Sequence, residues 1–232
     1  MNYRVRISSR AKNVRLMISR AGLEVVIPRG FDPDNVPSIV DRHRAWIDRH
    51  LKKRRDTSPL PPVDNALPDR IELAAVGKAW TIEYQDRSGD SVWIEEFAGS
   101  HVKVWGNLSN PATSRELLRK WLLRTAKKIF APWLKALSAE TGLDYARLQV
   151  RTQKSRWGSC SSSGTISLNA KLLFMPPELV RHVMIHELCH TVHPNHSHSF
   201  WALVARHDPD YRSLKRRLNE AGKAIPRWVT YR

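Results

Sequence analysis

The sequence predicts an α+β fold in which a β-rich N-terminal region precedes a mainly helical one. Short runs of alternating apolar and polar residues fill much of residues 1–110, as expected for half-buried strands. From residue 113 the apolar residues instead recur about every 3.6 positions, which is the period of an amphipathic helix. We therefore predict two regions: residues 1–110, with strands and one helix, and residues 111–232.

Three predicted strands open the N-terminal region: YRVRIS (3–8), VRLMIS (14–19) and LEVVIP (23–28). The run RAGL predicts a turn between the last two strands, in which Gly22 can adopt a positive φ. One helix should follow, with Asp34 or Asn35 as its N-cap. Its imperfect apolar stripe consists of Val36, Ile39, Val40, Trp46, Ile47 and Leu51. The proline-rich run over residues 57–65 should end this part of the chain.

Four short β-prone runs then lie between residues 70 and 106: RIELAAV, KAWTIEY, SVWIEE and HVKVWG. The helical period that follows predicts a long helix capped by Thr113 or Ser114 and stopped by Gly142. Pro132 lies inside this helix and should kink or split it, because proline lacks the backbone N–H that the helix needs.

The last part of the chain predicts a β-hairpin followed by helices. Two antiparallel strands, around residues 147–160 and 164–169, should be joined by a serine-rich turn. Pro176 and Pro177 favour the start of a helix that runs to about residue 192, before Pro194. A final helix is expected near residues 209–222.

Composition restricts the class of protein. The net charge of +17 favours an acidic partner, nucleic acid first, although a basic surface is also simply soluble. Two cysteines are too few for a disulfide-stabilised secreted protein of this length. The charged N-terminal run has no signal-peptide pattern, and no apolar run is long enough for a membrane span. We therefore expect a cytoplasmic protein with no membrane partner; its oligomeric state is not predicted.

The run HELCH (186–190) carries the clearest chemical pattern. His186 and His190 are four residues apart on the predicted helix, so their imidazoles share one face and can hold one ion. Glu187 lies beside that face, where its carboxylate can take a proton from a zinc-bound water that attacks a carbonyl. Cys189 lies one step off the shared face and is expected to be a small buried apolar residue rather than a ligand.

A catalytic zinc usually has three protein ligands and one open position, so a third ligand is needed. His193, His196 and His198 all follow the motif closely. Pro194 makes a continued helix through His193 difficult, whereas a turn at Pro194 could bring His196 back over the ion. His182, one turn before His186, is expected to be a histidine on the helix flank without a ligand role.

Three segments together resemble the YgjP-like metallopeptidase family: SRWGSCSSSGTISLN, HELCH and NHSHSFWALV. The resemblance is specific over roughly residues 111–210, and the core is also similar to SprT-like and other short zincin domains. It implies a zincin-like core made of a support helix, a small antiparallel sheet and the HExxH helix. His186, His190 and His196 are then implied as zinc ligands and Glu187 as the catalytic base. The chain departs from the metzincin pattern, which has glycine at the position of His193.

The resemblance predicts a zinc metallopeptidase that acts on protein or peptide. A peptide would be expected to bind by strand addition beside the runs RWGSC and ISLN. Arg156, His207 and Tyr211 are possible oxyanion stabilisers by chemistry alone. The alternatives are a basic nucleic-acid-associated protein with a structural zinc, and a protease recruited to protein–DNA complexes through basic runs such as HLKKRR (50–55) and LKRRL (214–218).

Overall fold

A computed structural model describes residues 3–19, 22–55, 67–89 and 91–230. The chain divides into two compact units, Met1–Asp64 and Asn65–Arg232. Strands and helices occur in both units, so the predicted α+β class is confirmed. The predicted boundary between residues 110 and 111 falls inside the second unit, and it stays a prediction about where the catalytic region begins.

A three-stranded sheet forms the first unit's β layer, with the order β1-β3-β2. Strand β1 (Tyr3–Ser8) is parallel to β3 (Gly22–Pro28), and β2 (Arg15–Ser19) is antiparallel to it. The three predicted strands are therefore confirmed. Gly22 has a φ of +102°, as its place in the turn requires, whereas Arg20 and Ala21 lie outside the described residues.

The helical layer of the first unit consists of two helices, so the prediction of one helix is wrong. Helix α1 (Val36–Arg42) and helix α2 (Arg44–Arg55) are interrupted at His43. A short 3-10 turn precedes α1, and the Asp32 carboxylate caps it by accepting a hydrogen bond from the Asp34 N–H. The buried residues of this unit form one core: Leu23, Val25, Ile27, Val36, Val40 and Ile47. The predicted break over residues 57–65 lies outside the described residues.

The second unit begins with a four-stranded sheet in the order β4-β5-β7-β6. Its strands are β4 (Arg70–Leu73), β5 (Lys78–Asp86), β6 (Val92–Phe97) and β7 (His101–Gly106), which confirms the four predicted strands. The sheet packs against the long helix α3 (Pro111–Thr141). Across this interface the indoles of Trp80 and Trp121 meet edge to face, and both donate a hydrogen bond to the Glu96 carboxylate.

Helix α3 is continuous through Pro132, so the chain is not split there. Its N-cap is Asn110, whose side chain accepts a hydrogen bond from the Ala112 N–H at 3.0 Å. The predicted caps Thr113 and Ser114 are therefore wrong, because the helix begins earlier, at a proline that suits the first helical turn. Gly142 ends the helix in the left-handed conformation, as predicted.

A second, smaller sheet follows α3 and has the order β8-β10-β9. Strand β9 (Gly158–Cys160) pairs antiparallel with β10 (Thr165–Asn169), as predicted. The prediction of a single strand over residues 147–160 is wrong, because β8 (Arg147–Arg151) is a separate strand and pairs parallel to β10. The loop between β8 and β9 is held by the Asn169 amide, which donates to two carbonyls of that loop.

Four helices complete the second unit: α4 (Pro177–Cys189), α5 (His198–His207), α6 (Tyr211–Ala221) and α7 (Arg227–Thr230). Helix α4 begins at Pro177 as predicted and ends a few residues earlier than expected. Helix α5 was not predicted; its N-cap Ser197 accepts a hydrogen bond from the Phe200 N–H. Among the described residues, no helix is both long enough and apolar enough to span a bilayer.

Candidate metal centre

The end of α4 and the loop after it bring three imidazoles together. His186 and His190 lie one helical turn apart, with ring centroids 4.9 Å apart. His196 returns over them from the loop, at 5.1 Å from the ring of His186 and 4.7 Å from the ring of His190. One nitrogen from each ring lies within 4.8 Å of the others. The structure therefore brings together the three residues predicted as metal ligands.

The spacing of these nitrogens fits a divalent metal ion. The Nε2 atoms of His186 and His196 are 3.1 Å apart. Two nitrogens bound to a tetrahedral zinc, each at about 2.0–2.1 Å, would lie about 3.3 Å from each other. Burial is the main cause that lowers the pKa of His186 to about 3, and burial likewise lowers the pKa of His196. Both rings are therefore neutral at physiological pH, which is the form that binds metals.

Neighbouring groups orient these rings. The Nδ1 atom of His190 is 3.0 Å from the backbone carbonyl of His193, and a carbonyl can only accept, so Nδ1 carries the proton. The Nε2 lone pair of His190 is then available to a metal. His193 thus contributes its backbone rather than its ring.

The apolar ring of Phe200 packs against all three imidazoles. Its fully buried ring stacks on His190 at 4.3 Å and meets His186 and His196 edge to face, each at 4.9 Å. Trp201 stacks on the outer face of His196. Both aromatic residues lie on α5, which the sequence did not predict, so their packing role was missed. The motif HSHSFW was the available signal, because Phe200 and Trp201 lie three and four residues after Ser197, the N-cap of that helix.

Glu187 lies next to the imidazoles and is buried, with 5% of its surface exposed. In the described part of the chain, no protein group hydrogen-bonds its Oε2 atom. Burial raises the pKa of Glu187 to about 8, while the positive charge of Arg156 acts in the opposite direction. A buried carboxyl oxygen without a protein partner is rare and points to a partner that is not protein, such as water.

Gly158 on β9 lies directly against this carboxyl group. A Cβ atom at position 158 would lie 2.5 Å from the Glu187 Oε1 atom and 2.7 Å from its Cγ atom. Only glycine leaves the room that the glutamate occupies. This contact could not be predicted from the sequence, since it joins β9 to α4, two elements that are not adjacent in the chain.

Comparison with known proteins agrees with this geometry. The YgjP-like, metallopeptidase domain family model matches residues 12–221. The chain belongs to the YgjP-like metallopeptidase family. No curated protein matches it. Among solved structures, the metallopeptidase zymogen abylysin of Pyrococcus abyssi is 26% identical, aligned over 43% of this chain and 90% of abylysin, with a TM-score of 0.32.

In this YgjP-like chain, His182 is buried against Asp208, the residue that follows α5. Its Nδ1 atom is 2.5 Å from Oδ2 of Asp208, and both side chains are less than a tenth exposed. Asp208 ends α5, so the pair ties the HExxH helix to the helix that holds Phe200. The prediction that His182 is no metal ligand agrees with this contact, although the residue is buried rather than on an exposed flank.

Replacing Asp208 by Ala should destabilise the fold without removing a metal ligand. The substitution leaves the buried His182 ring without its hydrogen-bond partner, which costs about 1–3 kcal/mol. Denaturant unfolding of the metal-free protein measures the loss. Asp210→Ala is the matched control, because the Asp210 side chain makes no capping hydrogen bond. Equal stabilities of the two variants would contradict a structural role for the pair.

The proposed oxyanion stabilisers of the YgjP-like chain lie in different places. Arg156 acts on Glu187 through its charge. Tyr211 stacks on Trp201, and its hydroxyl accepts a hydrogen bond from Arg212. His207 accepts a hydrogen bond from Arg181 through its backbone carbonyl. Lys215, part of the basic run LKRRL, lies near the candidate metal centre. Its ammonium is 5.0 Å from the centroid of the Trp201 ring. Its charge adds to the effect of burial in lowering the pKa of His186 and His196.

Proposed function

We propose that this protein is a zinc-dependent peptidase with His186, His190 and His196 as metal ligands and Glu187 as its general base. The main support for the proposal is the convergence of three imidazoles beside a buried carboxyl group that, among the described residues, has no protein partner on one oxygen. Three imidazoles with a fourth position open to water form a typical catalytic zinc site. When bound there, zinc would lower the pKa of water and polarise a carbonyl.

In this proposal Glu187 acts as the general base. Its carboxylate accepts a proton from the attacking water, holds it in a dry environment and donates it to the amine that leaves. The raised pKa belongs to the protein without a metal, and a cation beside the carboxylate would favour its charged form. The protonation state of Glu187 therefore responds to metal binding.

Strand β9 supports a peptide as the substrate. It lies at the edge of its sheet, so one row of its backbone groups faces away from β10. An extended peptide can pair with that edge, and it would then pass Gly158 and the Glu187 carboxyl that contacts it. We propose that substrate binds in this way and that residues 111–232 form the catalytic region.

A structural zinc in a nucleic-acid-binding protein is the second candidate. The charge of +17 favours it, as do the exposed cations of α6, among them Arg212, Lys215 and Arg216. A structural zinc is usually closed by four ligands, however, and the single cluster found among the described residues offers three. The cluster therefore favours an enzyme. Recruitment to protein–DNA complexes is compatible with either a catalytic or a structural zinc. It would appear as DNA binding that weakens steeply with salt.

A peptide-library digest tests the proposal. The zinc-loaded protein should cleave members of the library, a chelator should stop cleavage, and added zinc should restore it. Mass spectrometry of the products also gives the sequence preference. Metal-independent cleavage, or no cleavage by a fully zinc-loaded protein, would contradict a zinc peptidase.

Replacing Gly158 by Ala tests the position of Glu187. The new Cβ atom would overlap the Glu187 carboxyl group. The carboxyl group must therefore move, and it can do so because it is the flexible end of a side chain. Activity should fall by about 10²-fold, since a displacement of 1 Å can cost that much, while metal content stays unchanged. Ser159→Ala, the next residue on β9, is the control. Full activity in Gly158→Ala would show that the carboxyl need not occupy its observed place.

A further inference from the structure

A polar cavity lies beside the start of β9, the strand that contacts Glu187. It has a volume of about 200 Å³ and lies between the loop that precedes β9 and the C-terminal part of the chain. Three cationic side chains line it, together with an indole, an amide and a few small or apolar groups. The lining residues are Lys154, Ser155, Arg156, Trp157, Asn169, Lys171, Gly222 and Ile225.

Lys171 is the unusual member of this lining, because it is a buried cation. Only 6% of its surface is exposed, and burial lowers the pKa of its ammonium. Its Nζ atom donates one hydrogen bond, to the Gln153 backbone carbonyl at 3.2 Å. Within the described residues, no carboxylate forms an ion pair with Lys171, Lys154 or Arg156. Burial disfavours the charged form of this lysine, so an anion bound in the cavity would stabilise it.

A neutral side chain also holds this loop. The Asn169 amide already donates to the carbonyls of Gln153, at 2.9 Å, and Arg156, at 2.7 Å. Trp157 forms another wall, and it packs so tightly on Gly222 that a Cβ atom there would lie 2.8 Å from the indole. Neutral groups therefore contribute to the shape of the cavity, and the three cations add positive charge to its lining.

The cavity also lies close, along the chain, to the contact between Gly158 and Glu187. Arg156 precedes Gly158 by two residues, so the cavity lining lies at most about 7 Å of chain from the contact with Glu187. An extended peptide along β9 would reach it within about two or three residues of the bond beside Glu187.

We propose that this cavity binds a carboxylate group of the peptide substrate, through Lys171, Lys154 and Arg156. The proposal rests on the peptidase function proposed above and adds a specificity site to it. The carboxylate can come from the C-terminus of the peptide or from an Asp or Glu side chain, since both present the same two oxygens to a cation.

Acetate binding tests the cavity without any turnover. Acetate is titrated into zinc-loaded full-length protein carrying Glu187→Gln, at constant ionic strength, and followed by the NMR signal of the Trp157 indole. That signal is assigned by its loss in Trp157→Phe. We expect a saturable shift with acetate and none with neutral acetamide. Adding Lys171→Met should weaken acetate binding about tenfold or more, the effect of losing a charge-assisted hydrogen bond.

Two further variants make this result specific. Lys154→Met should weaken acetate binding in the same direction, and it remains informative if Lys171→Met does not fold. Lys120→Met, an exposed lysine on α3, should change nothing. No saturable shift, or equal affinities of Lys171→Met and Lys120→Met, would overturn the proposal. A Trp157 shift caused by a single-stranded oligonucleotide but not by acetate would also overturn it, in favour of a phosphate site.

Matched peptides identify the source of the carboxylate. One pair differs in a free or amidated C-terminus, and the other in Glu or Gln near the cleaved bond. The peptide that carries the recognised carboxylate should have the lower KM of its pair. In Lys171→Met the KM for that peptide should rise, and the difference within the pair should disappear. Cleavage without an acetate shift overturns the cavity proposal and leaves the peptidase proposal intact. An acetate shift without cleavage supports the carboxylate site and overturns the peptidase proposal.

Discussion

Replacing Glu187 by Gln should leave a folded protein that keeps its metal and no longer cleaves peptides. Glutamine has the shape of glutamate but cannot accept a proton, so the loss isolates the general base. A positioned base contributes about 10²–10⁴-fold, and kcat/KM should fall by that amount. Zinc content, measured by elemental analysis after dialysis, should stay at about one ion per chain.

Glu178→Gln is the matched control, because Glu178 is on the same helix but is exposed and paired with Arg217. Its activity should equal that of the unmodified protein. Turnover that survives in Glu187→Gln would leave the base unassigned and direct attention to another proton acceptor. Loss of zinc from this variant would instead make Glu187 part of the metal site.

Replacing His196 by Ala should remove both metal and activity. Structural zinc sites bind with about 10–16 kcal/mol across four ligands, so one ligand contributes about 3 kcal/mol. Zinc affinity should therefore fall about 10²-fold, and the chain should lose zinc on dialysis. His196 is exposed, so its removal should hardly affect the stability of the metal-free fold.

His193→Ala and His198→Ala are the controls, since these two residues competed with His196 as the third ligand. The ring of His193 can be removed while its carbonyl still accepts the hydrogen bond from His190. Both variants should bind zinc normally. Loss of zinc from either of them, with retention in His196→Ala, would show that the loop adopts a different path when metal is bound.

The local part of the site could be predicted from the sequence, because helical periodicity alone puts His186 and His190 on one face and Glu187 beside it. The third histidine could not be chosen in this way. Its position depends on the path of the loop after α4, and three histidines remained open until the family resemblance favoured His196. The structure places His196 with the other two rings, while its role as a ligand remains part of the proposal.

The contacts that complete the site are not local, and the sequence did not predict them. Gly158 meets Glu187 only because β9 packs against α4. Phe200 lies under the imidazoles because of α5, whose short apolar pattern after a proline-containing loop was not recognised as a helix. The parallel pairing of β8 with β10 was missed for a similar reason: alternation identifies a strand but not its partner.

X-ray absorption spectroscopy at the zinc edge of the zinc-loaded protein tests whether His186, His190 and His196 bind the metal. We expect three imidazole nitrogens and one further light ligand at about 2.0–2.1 Å, with one imidazole lost in His196→Ala. A sulfur ligand at about 2.3 Å, which would come from Cys160 or Cys189, would contradict it, as would an unchanged spectrum in His196→Ala.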